Sequence, residues 1–281
     1  FIREGGGCSS DPCSKSEMAP EEVAFLVRIA AKLGVRSVKL TGGEPLLYNG
    51  IEEVVRMISS IDSVRDVSMT TNGVLLSEWA QTLAKAGLKR VNVSLDTLSK
   101  EKYKRITGKD ALERVIEGVD AALKAELKPV KLNMVLLRGI NVSELGSMIE
   151  FSRARRGSIL QVIELVPSGS LTLEEYHVDP SFVERMLKEK STKVVVRKMQ
   201  RRKKFFLDGG GEVEVVRPVH NSEFCASCNR LRITSDGKLK PCLMRNDNLV
   251  DVLTPLRQGA SEKDIEKLFV EAVNKRSPYY H

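Results

Sequence analysis

Three of the five cysteines in this 281-residue chain fall in one short stretch, which runs from Phe224-Cys225-Ala-Ser-Cys228-Asn229-Arg230-Leu231-Arg232 to Cys242 with the spacing C-x2-C-x13-C. Three soft thiolates gathered by a short loop and a hairpin-like return suit a metal ion or an iron–sulfur cluster. Three are one short of a closed tetrahedral zinc site. Arg230 and Arg232, directly behind the middle cysteine, point to an open coordination position that meets an anionic ligand. A zinc knuckle completed by His220 fits the same spacing. A disulfide framework fits less well, because five is an odd number. Cys8 and Cys13 stand at C-x4-C spacing in a Gly/Ser-rich start, match no metal motif, and read as a flexible terminal segment.

The elements that must position these residues alternate over the first two-thirds of the chain. Pro20–Leu33 reads as a helix, opened by Pro and two glutamates, striped by Val23, Leu26, Val27 and Ala30, and stopped by Gly34. Strands are predicted at Ser37–Leu40, Asp66–Met69, Arg90–Leu95, Val130–Leu136 and Leu160–Leu165. Helices are predicted between them at Gly50–Ser60, Ser77–Ala86, Lys109–Ala125 and Ser143–Arg155. Polar or glycine loops follow the strands: Thr41-Gly-Gly, Thr70-Thr-Asn-Gly, Ser94-Leu-Asp and Pro167-Ser-Gly. Repeated βα units imply a parallel sheet, and chemistry at strand C-termini suits a complete or partial (β/α) barrel.

After about Pro180 the pattern changes. A helix at Val183–Lys188 precedes strands at Lys193–Lys198, Lys203–Leu207 and Glu212–Arg217 around the Gly209-Gly-Gly211 turn, then the cysteine hairpin and a last amphipathic helix, Glu262–Val273. The expected division is residues 1–179 as barrel and 180–281 as a smaller α+β subdomain that packs across its mouth.

Composition narrows the partners. A hydrophobic fraction of 42% supports a large core, and no apolar run approaches the roughly 18 residues of a membrane span. The formal charge of +8 invites a nucleic-acid reading, but only 5% of residues are aromatic, so stacking platforms are scarce. The one basic run, Arg197 to Lys204, joins two predicted strands and reads as a solvated hairpin turn. A small phosphate-bearing substrate uses the same positive potential.

Thr41-Gly42-Gly43-Glu44-Pro45 alone is a weak motif whose glycines permit close backbone approach to a ligand. Together with Thr70-Thr71-Asn72-Gly73, Val91-Asn92-Val93-Ser94-Leu95-Asp96, Ile106-Thr107-Gly108, Val130-Lys131-Leu132-Asn133, Gly139-Ile-Asn141, Glu214-Val-Val-Arg217-Pro218 and the Phe224–Cys242 block, it resembles the radical S-adenosylmethionine superfamily. Within it, the set is similar to the GTP 3′,8-cyclases of molybdenum cofactor biosynthesis, from about Gly34 to Leu243. The resemblance implies a partial (β/α) barrel, six-stranded in the complete family, with a C-terminal α+β cluster-binding subdomain.

It also implies roles. Cys225, Cys228 and Cys242 match the ligands of a [4Fe–4S] cluster whose fourth iron is left for substrate. Arg230, Leu231 and Arg232 match a GTP-contacting segment, in which guanidiniums suit a triphosphate by charge and fork geometry. Lys39, Thr70 and Lys131 fall at other GTP-contacting positions, and Gly43 and Ser94 at positions that hold S-adenosylmethionine. Read from the residues alone, Thr70 and Ser94 equally suit backbone satisfaction at strand ends. Lys131, inward on an apolar strand, needs an anionic partner. Glu164, Asp96 and Asn133 are expected in interior hydrogen-bond networks. No residue is assigned as catalytic.

The implied reaction converts GTP to (8S)-3′,8-cyclo-7,8-dihydroguanosine 5′-triphosphate. The implied partners are GTP, a low-potential electron donor and cyclic pyranopterin monophosphate synthase as the next enzyme, in a cytoplasmic protein for which a homodimer is allowed and no nucleic acid or membrane is expected. The sequence departs from the family in places. Its N-terminal [4Fe–4S] cluster uses a C-x3-C-x2-C loop that is absent here, and Phe1-Ile-Arg3-Glu4 resembles the segment just beyond that loop. The expectation is that the residues given bind GTP without cleaving S-adenosylmethionine. Lys39 and Gln161 stand where arginines are usual and Val166 where a methionine is, and the usual C-terminal Gly-Gly is replaced by Ser277-Pro-Tyr-Tyr-His281. The rival readings are another radical enzyme with an auxiliary cluster and a non-catalytic zinc- and nucleotide-binding protein.

Overall fold

A computed structural model describes residues 17–166 and 171–280. The expectations for Phe1–Gly6, Cys8, Cys13, the Pro167-Ser-Gly loop and His281 lie outside those residues. The chain runs α1 (Pro20–Lys32), β1 (Ser37–Leu40), α2 (Ile51–Ser59), β2 (Asp66–Thr71), α3 (Leu76–Ala86), β3 (Arg90–Ser94), α4 (Lys100–Thr107), α5 (Leu112–Lys124), β4 (Val130–Leu136), α6 (Leu145–Arg153) and β5 (Ser158–Glu164). It continues with α7 (Leu171–Glu174), α8 (Ser181–Glu189), β6 (Ser191–Val196), β7 (Lys203–Leu207), β8 (Glu212–Val216), α9 (Ser222–Ala226), β9 (Arg232–Ile233), β10 (Lys238–Lys240), β11 (Val250–Asp251), α10 (Leu253–Arg257) and α11 (Glu262–Asn274).

The sheet order is β1-β2-β3-β4-β5-β8-β7-β6. Strands β1 to β5 pair in parallel in sequence order, and β8 adds in parallel to β5 with Gln161 opposite Glu214. Central strands β2 to β5 are buried almost continuously, as a sheet covered on both faces requires. Strand β1, an edge, alternates between exposed and half-buried residues. Strands β7 and β6 fold back antiparallel, so the sheet runs on across residue 180.

Local chemistry explains the element ends. In α1, Pro20 sits in the first turn and the Glu22 carboxylate accepts the Ala19 N–H at 2.8 Å. Helix α4 is absent from the sequence prediction, which placed one helix at Lys109–Ala125. It is mostly charged and buries only Tyr103 and Ile106, so it offers no apolar stripe; the Ser99 hydroxyl caps it and Gly108 ends it at φ +72°.

Two cores result. The larger packs α2, α3, α5 and α6 against the sheet through residues such as Ile58, Leu83, Val119, Leu132 and Val162. The second joins Leu26 and Ile29 of α1 to Leu239, Val250, Ile265 and Phe269 of the C-terminal segment. Helix α1 thus feeds both cores. Glu262 pairs with Arg28 and Lys32, and Arg257 with Glu22, across the same contact. This second core holds the cysteine hairpin beside the barrel. Among the described residues, no helix is long and apolar enough to cross a membrane.

Candidate active site

Strand register puts the polar residues on the inward face. Asn92 lies opposite both Thr70 and Lys131, and Asn133 opposite Gln161. Side chains at period two share a face, so Lys131, Asn133 and Gln161 form a polar strip flanked by apolar neighbours. Asn92 Nδ2 reaches Asn133 Oδ1 at 3.5 Å and Gln161 Oε1 at 3.4 Å, and Asn92 Oδ1 accepts from Lys39 Nζ at 3.0 Å.

Beyond this strip the site is cationic. Lys131 Nζ meets Glu214 Oε2 at 2.5 Å, Arg202 Nη1 lies 2.7 Å from Glu214 Oε1, and Arg197 Nη1 lies 3.3 Å from Glu214 Oε2. Burial, together with Arg90, Arg230, Lys131 and Arg202, brings the Lys39 ammonium down to about 7, although the edge position of β1 leaves much of the residue exposed. Burial lowers Lys131 to about 8 against the pull of Glu214, and Arg202 to about 10. Burial also lowers Arg230 and Arg232. Burial raises Glu214, but Lys131 and Arg202 outweigh it and hold the carboxyl below its ordinary value. Arg202 Nε has no hydrogen-bond partner among the described residues. Several cations share one carboxylate, a field that favours a polyanion.

The basic run from Arg197 to Lys204 departs from its sequence reading as a solvated turn. Gln200 and Arg202 are buried, because the connection between β6 and β7 folds inward against α9. Arg202 carries no sequence signal beyond membership of that run.

Cys225 and Cys228 share one turn, and Cys242 follows the next hairpin. Asn221 Oδ1 accepts the Phe224 N–H and caps α9, and the Cys228 N–H returns to the Cys225 carbonyl at 3.2 Å. In the β9–β10 hairpin Lys240 pairs with Arg232, and the chain returns toward Cys242 two residues further on. Gly237 makes the hairpin turn at φ +73°, where a Cβ would lie 2.1 Å from Leu253 Cβ. All three thiols are free and half-buried. Burial raises the Cys228 thiol, but the Arg230 N–H and the Arg276 guanidinium bring it below its ordinary value, toward the thiolate an iron–sulfur cluster needs. His220, the alternative zinc ligand, packs on Tyr280 at 5.0 Å. Among the described residues, no three His, Cys, Asp or Glu side chains converge on a single metal ion. A cavity of about 300 Å³ opens beside the turn, lined by Cys228, Arg230, Leu231, Pro241, Val273 and Arg276.

The loops at the strand C-termini are tied together. Glu44 accepts from Thr71 Oγ1 at 2.6 Å and from the Asn72 N–H at 2.7 Å, joining the Gly42-Gly43 loop to the loop after β2. An added Cβ at Gly43 would meet open space, and Ser94 is exposed at the end of β3. Asp96 accepts the Val135 N–H at 2.7 Å; Glu164 holds His177 and the Val219 N–H. With the Asn133 amide contact, these are the interior networks expected. Lys39, Lys131 and Arg230 therefore share one site, Arg232 stands beside the cysteines, and Gly43 and Ser94 lie at the neighbouring sheet end.

A profile described as "Radical SAM superfamily" matches residues 8–152, and one described as "Molybdenum Cofactor Synthesis C" matches residues 158–281. A "Probable GTP 3',8-cyclase" of Methanothermobacter marburgensis is 51% identical over 95% of this chain and 88% of its own length. One of Thermococcus kodakarensis is 50% identical over 95% and 88%. Among solved structures, Streptococcus suis SuiB bound to S-adenosylmethionine superposes with a TM-score of 0.59 at 16% identity, covering 84% of this chain and 55% of that one; this likeness carries the fold. Half the chain matches the superfamily profile and nearly all of it matches these relatives at about half identity, so the chain belongs to the GTP 3′,8-cyclase family of the radical S-adenosylmethionine superfamily.

Proposed function

We infer that this chain is a lyase that joins C3′ and C8 of GTP to give (8S)-3′,8-cyclo-7,8-dihydroguanosine 5′-triphosphate, the first step of molybdenum cofactor biosynthesis. The observation that carries the reading is the cationic mouth of the sheet, next to the cysteine turn. There Lys131, Arg202 and Arg197 pair with one carboxylate, Glu214, and Lys39 and Arg230 add further positive charge without a carboxylate of their own in contact among the described residues. A triphosphate neutralises that excess, and guanidiniums hold it in fixed orientation.

When bound, S-adenosylmethionine and a [4Fe–4S] cluster on an N-terminal cysteine loop would supply the radical chemistry, while Cys225, Cys228 and Cys242 would hold a second cluster that anchors the base. The residues of the chain bind and orient. Arg230, Leu231, Arg232, Lys39, Thr70 and Lys131 hold the nucleotide, with the triphosphate toward the barrel. Gly43 allows close approach of the methionyl part of S-adenosylmethionine, and Ser94 meets its ribose. Glu44 keeps the two loops in register. Fixing the ribose against the base is worth more here than any proton transfer. Residues 1–179 act as barrel and 180–281 as the cluster- and GTP-bearing subdomain. A low-potential electron donor and cyclic pyranopterin monophosphate synthase are its partners, in a cytoplasmic setting.

The test is anaerobic reconstitution, with iron and sulfide, of the chain joined to an upstream C-x3-C-x2-C segment with its preceding strand, then GTP, S-adenosylmethionine and dithionite, with chromatographic detection of the cyclised nucleotide. GTP binding by calorimetry, compared with ATP, reads the site independently of turnover. Loss of both product and GTP preference would overturn the assignment.

A further inference from the structure

We propose that Gln200 and Arg276 are positioning residues for the cysteine site, Gln200 by donating an N–H hydrogen bond to the Cys228 sulfur and Arg276 by setting its charge beside that turn, and that both raise the reduction potential of the cluster held there. This rests on the reading of Cys225, Cys228 and Cys242 as cluster ligands.

Gln200 Nε2 lies 3.6 Å from Cys228 Sγ, while the Gln200 backbone N–H donates to the Ser227 carbonyl at 3.1 Å. The residue therefore grips the cysteine turn at two points. It does so from a costly position, at φ +60° with Arg201 following at φ +48°, and only 6% exposed. Two consecutive non-glycine residues in the left-handed region, the first of them buried, persist only where their surroundings hold them there. Here those surroundings are the cysteine turn itself.

Arg276 approaches from the other side. It follows α11, and its Nη1 donates to the Arg230 carbonyl at 3.2 Å. That contact sets the guanidinium at the residue two beyond Cys228. Arg276 and Cys228 line the same cavity. An amide donor thus lies on the sulfur and a guanidinium charge beside its turn. Donors and positive charge at a ligating sulfur withdraw electron density and stabilise the state with one more electron. The connection between β6 and β7 and the end of α11 are distant in sequence, so only the folded chain brings both to Cys228.

The experiment is anaerobic reconstitution of the full chain and its variants, with iron and sulfide counted first. Failure of the parent to hold iron at these cysteines overturns the cluster reading and leaves no potential to compare. With iron present, dithionite titration followed by electron paramagnetic resonance reads the midpoint of the signal that Cys242→Ala removes. Gln200→Leu and Arg276→Met should each move it to more negative potential. Gln200→Glu should move it further, and Arg276→Lys should recover part of the parental value. Midpoints equal to the parent in Gln200→Leu and Arg276→Met at full iron loading would overturn the assignment. Should Gln200→Leu lose iron, the unsubstituted protein labelled with ¹⁵N in glutamine side chains decides the matter. Its reduced cluster should show a nitrogen coupling in pulsed spectra, and absence of that coupling overturns the contact.

Discussion

Lys131 and Glu214 meet at 2.5 Å across three neighbouring strands, with side chains 6% and 0% exposed. Lys131 belongs to β4 and Glu214 to β8, with β5 between them; Glu214 lies opposite Gln161, whose β4 partner is Asn133, two residues beyond Lys131. The inward lysine thus has an anionic partner from the far part of the chain, and Arg202 and Arg197 crowd the same carboxylate.

Glu214→Gln should therefore cost about 3–5 kcal/mol of stability, because removing one member strands buried cations. Urea denaturation measures it, and a Lys131→Met/Arg202→Met/Glu214→Leu triple variant should recover most of the loss. Because the folded carboxyl lies below its ordinary value, its contribution is complete above an unfolded pKa of about 4.3. That contribution disappears as pH falls through the lower folded value. Equal stability of parent and Glu214→Gln at pH 7 would contradict the ion-pair account.

Arg230→Ala and Arg232→Ala should each weaken GTP binding by about 1.5–3 kcal/mol, the range for a charge-assisted hydrogen bond. Arg202→Met should act in the same sense. Calorimetric titration of GTP into iron-loaded protein is the check. Parental affinity in all three would place these guanidiniums outside the nucleotide site.

Lys39 gives the binding a pH dependence. Its ammonium lies at about 7 in the free chain, through burial and neighbouring cations. A bound phosphate raises it toward the ordinary lysine value. Below pH 7 the proton is present before and after binding; above it, binding must take one up, and affinity falls as pH rises. Calorimetry in buffers of different ionisation enthalpy at pH 8 should show proton uptake, reduced in Lys39→Met. Uptake identical in that variant would remove Lys39 from the linkage.

Gly237→Ala tests the hairpin. The new Cβ overlaps Leu253 and the φ of +73° disfavours alanine, so a loss of about 1–3 kcal/mol is expected. Because the hairpin carries the chain from Arg232 back toward Cys242, iron content should fall in parallel. Thermal melting and iron analysis read the two effects, and full iron with an unchanged melting temperature would show that the turn tolerates a side chain.

Local pattern alone determined the βα alternation, the positions of β1 to β5 within a residue or two, and the three cysteines with their arginines. Those features are short-range: period-two burial, glycine stops and the C-x2-C turn are written in adjacent residues. Helix α4 escaped because only Tyr103 and Ile106 are apolar enough to mark it. Tertiary structure alone decided that Gln200 and Arg202 of the basic run turn inward, that Arg202 and Lys131 share Glu214, that Gln200 reaches Cys228 and that Arg276 reaches the Arg230 carbonyl beside it. No spacing rule relates residues 131, 202 and 214. The parallel addition of β8 to β5 brings them together, and the low dielectric of the interior forces charges gathered there to find partners.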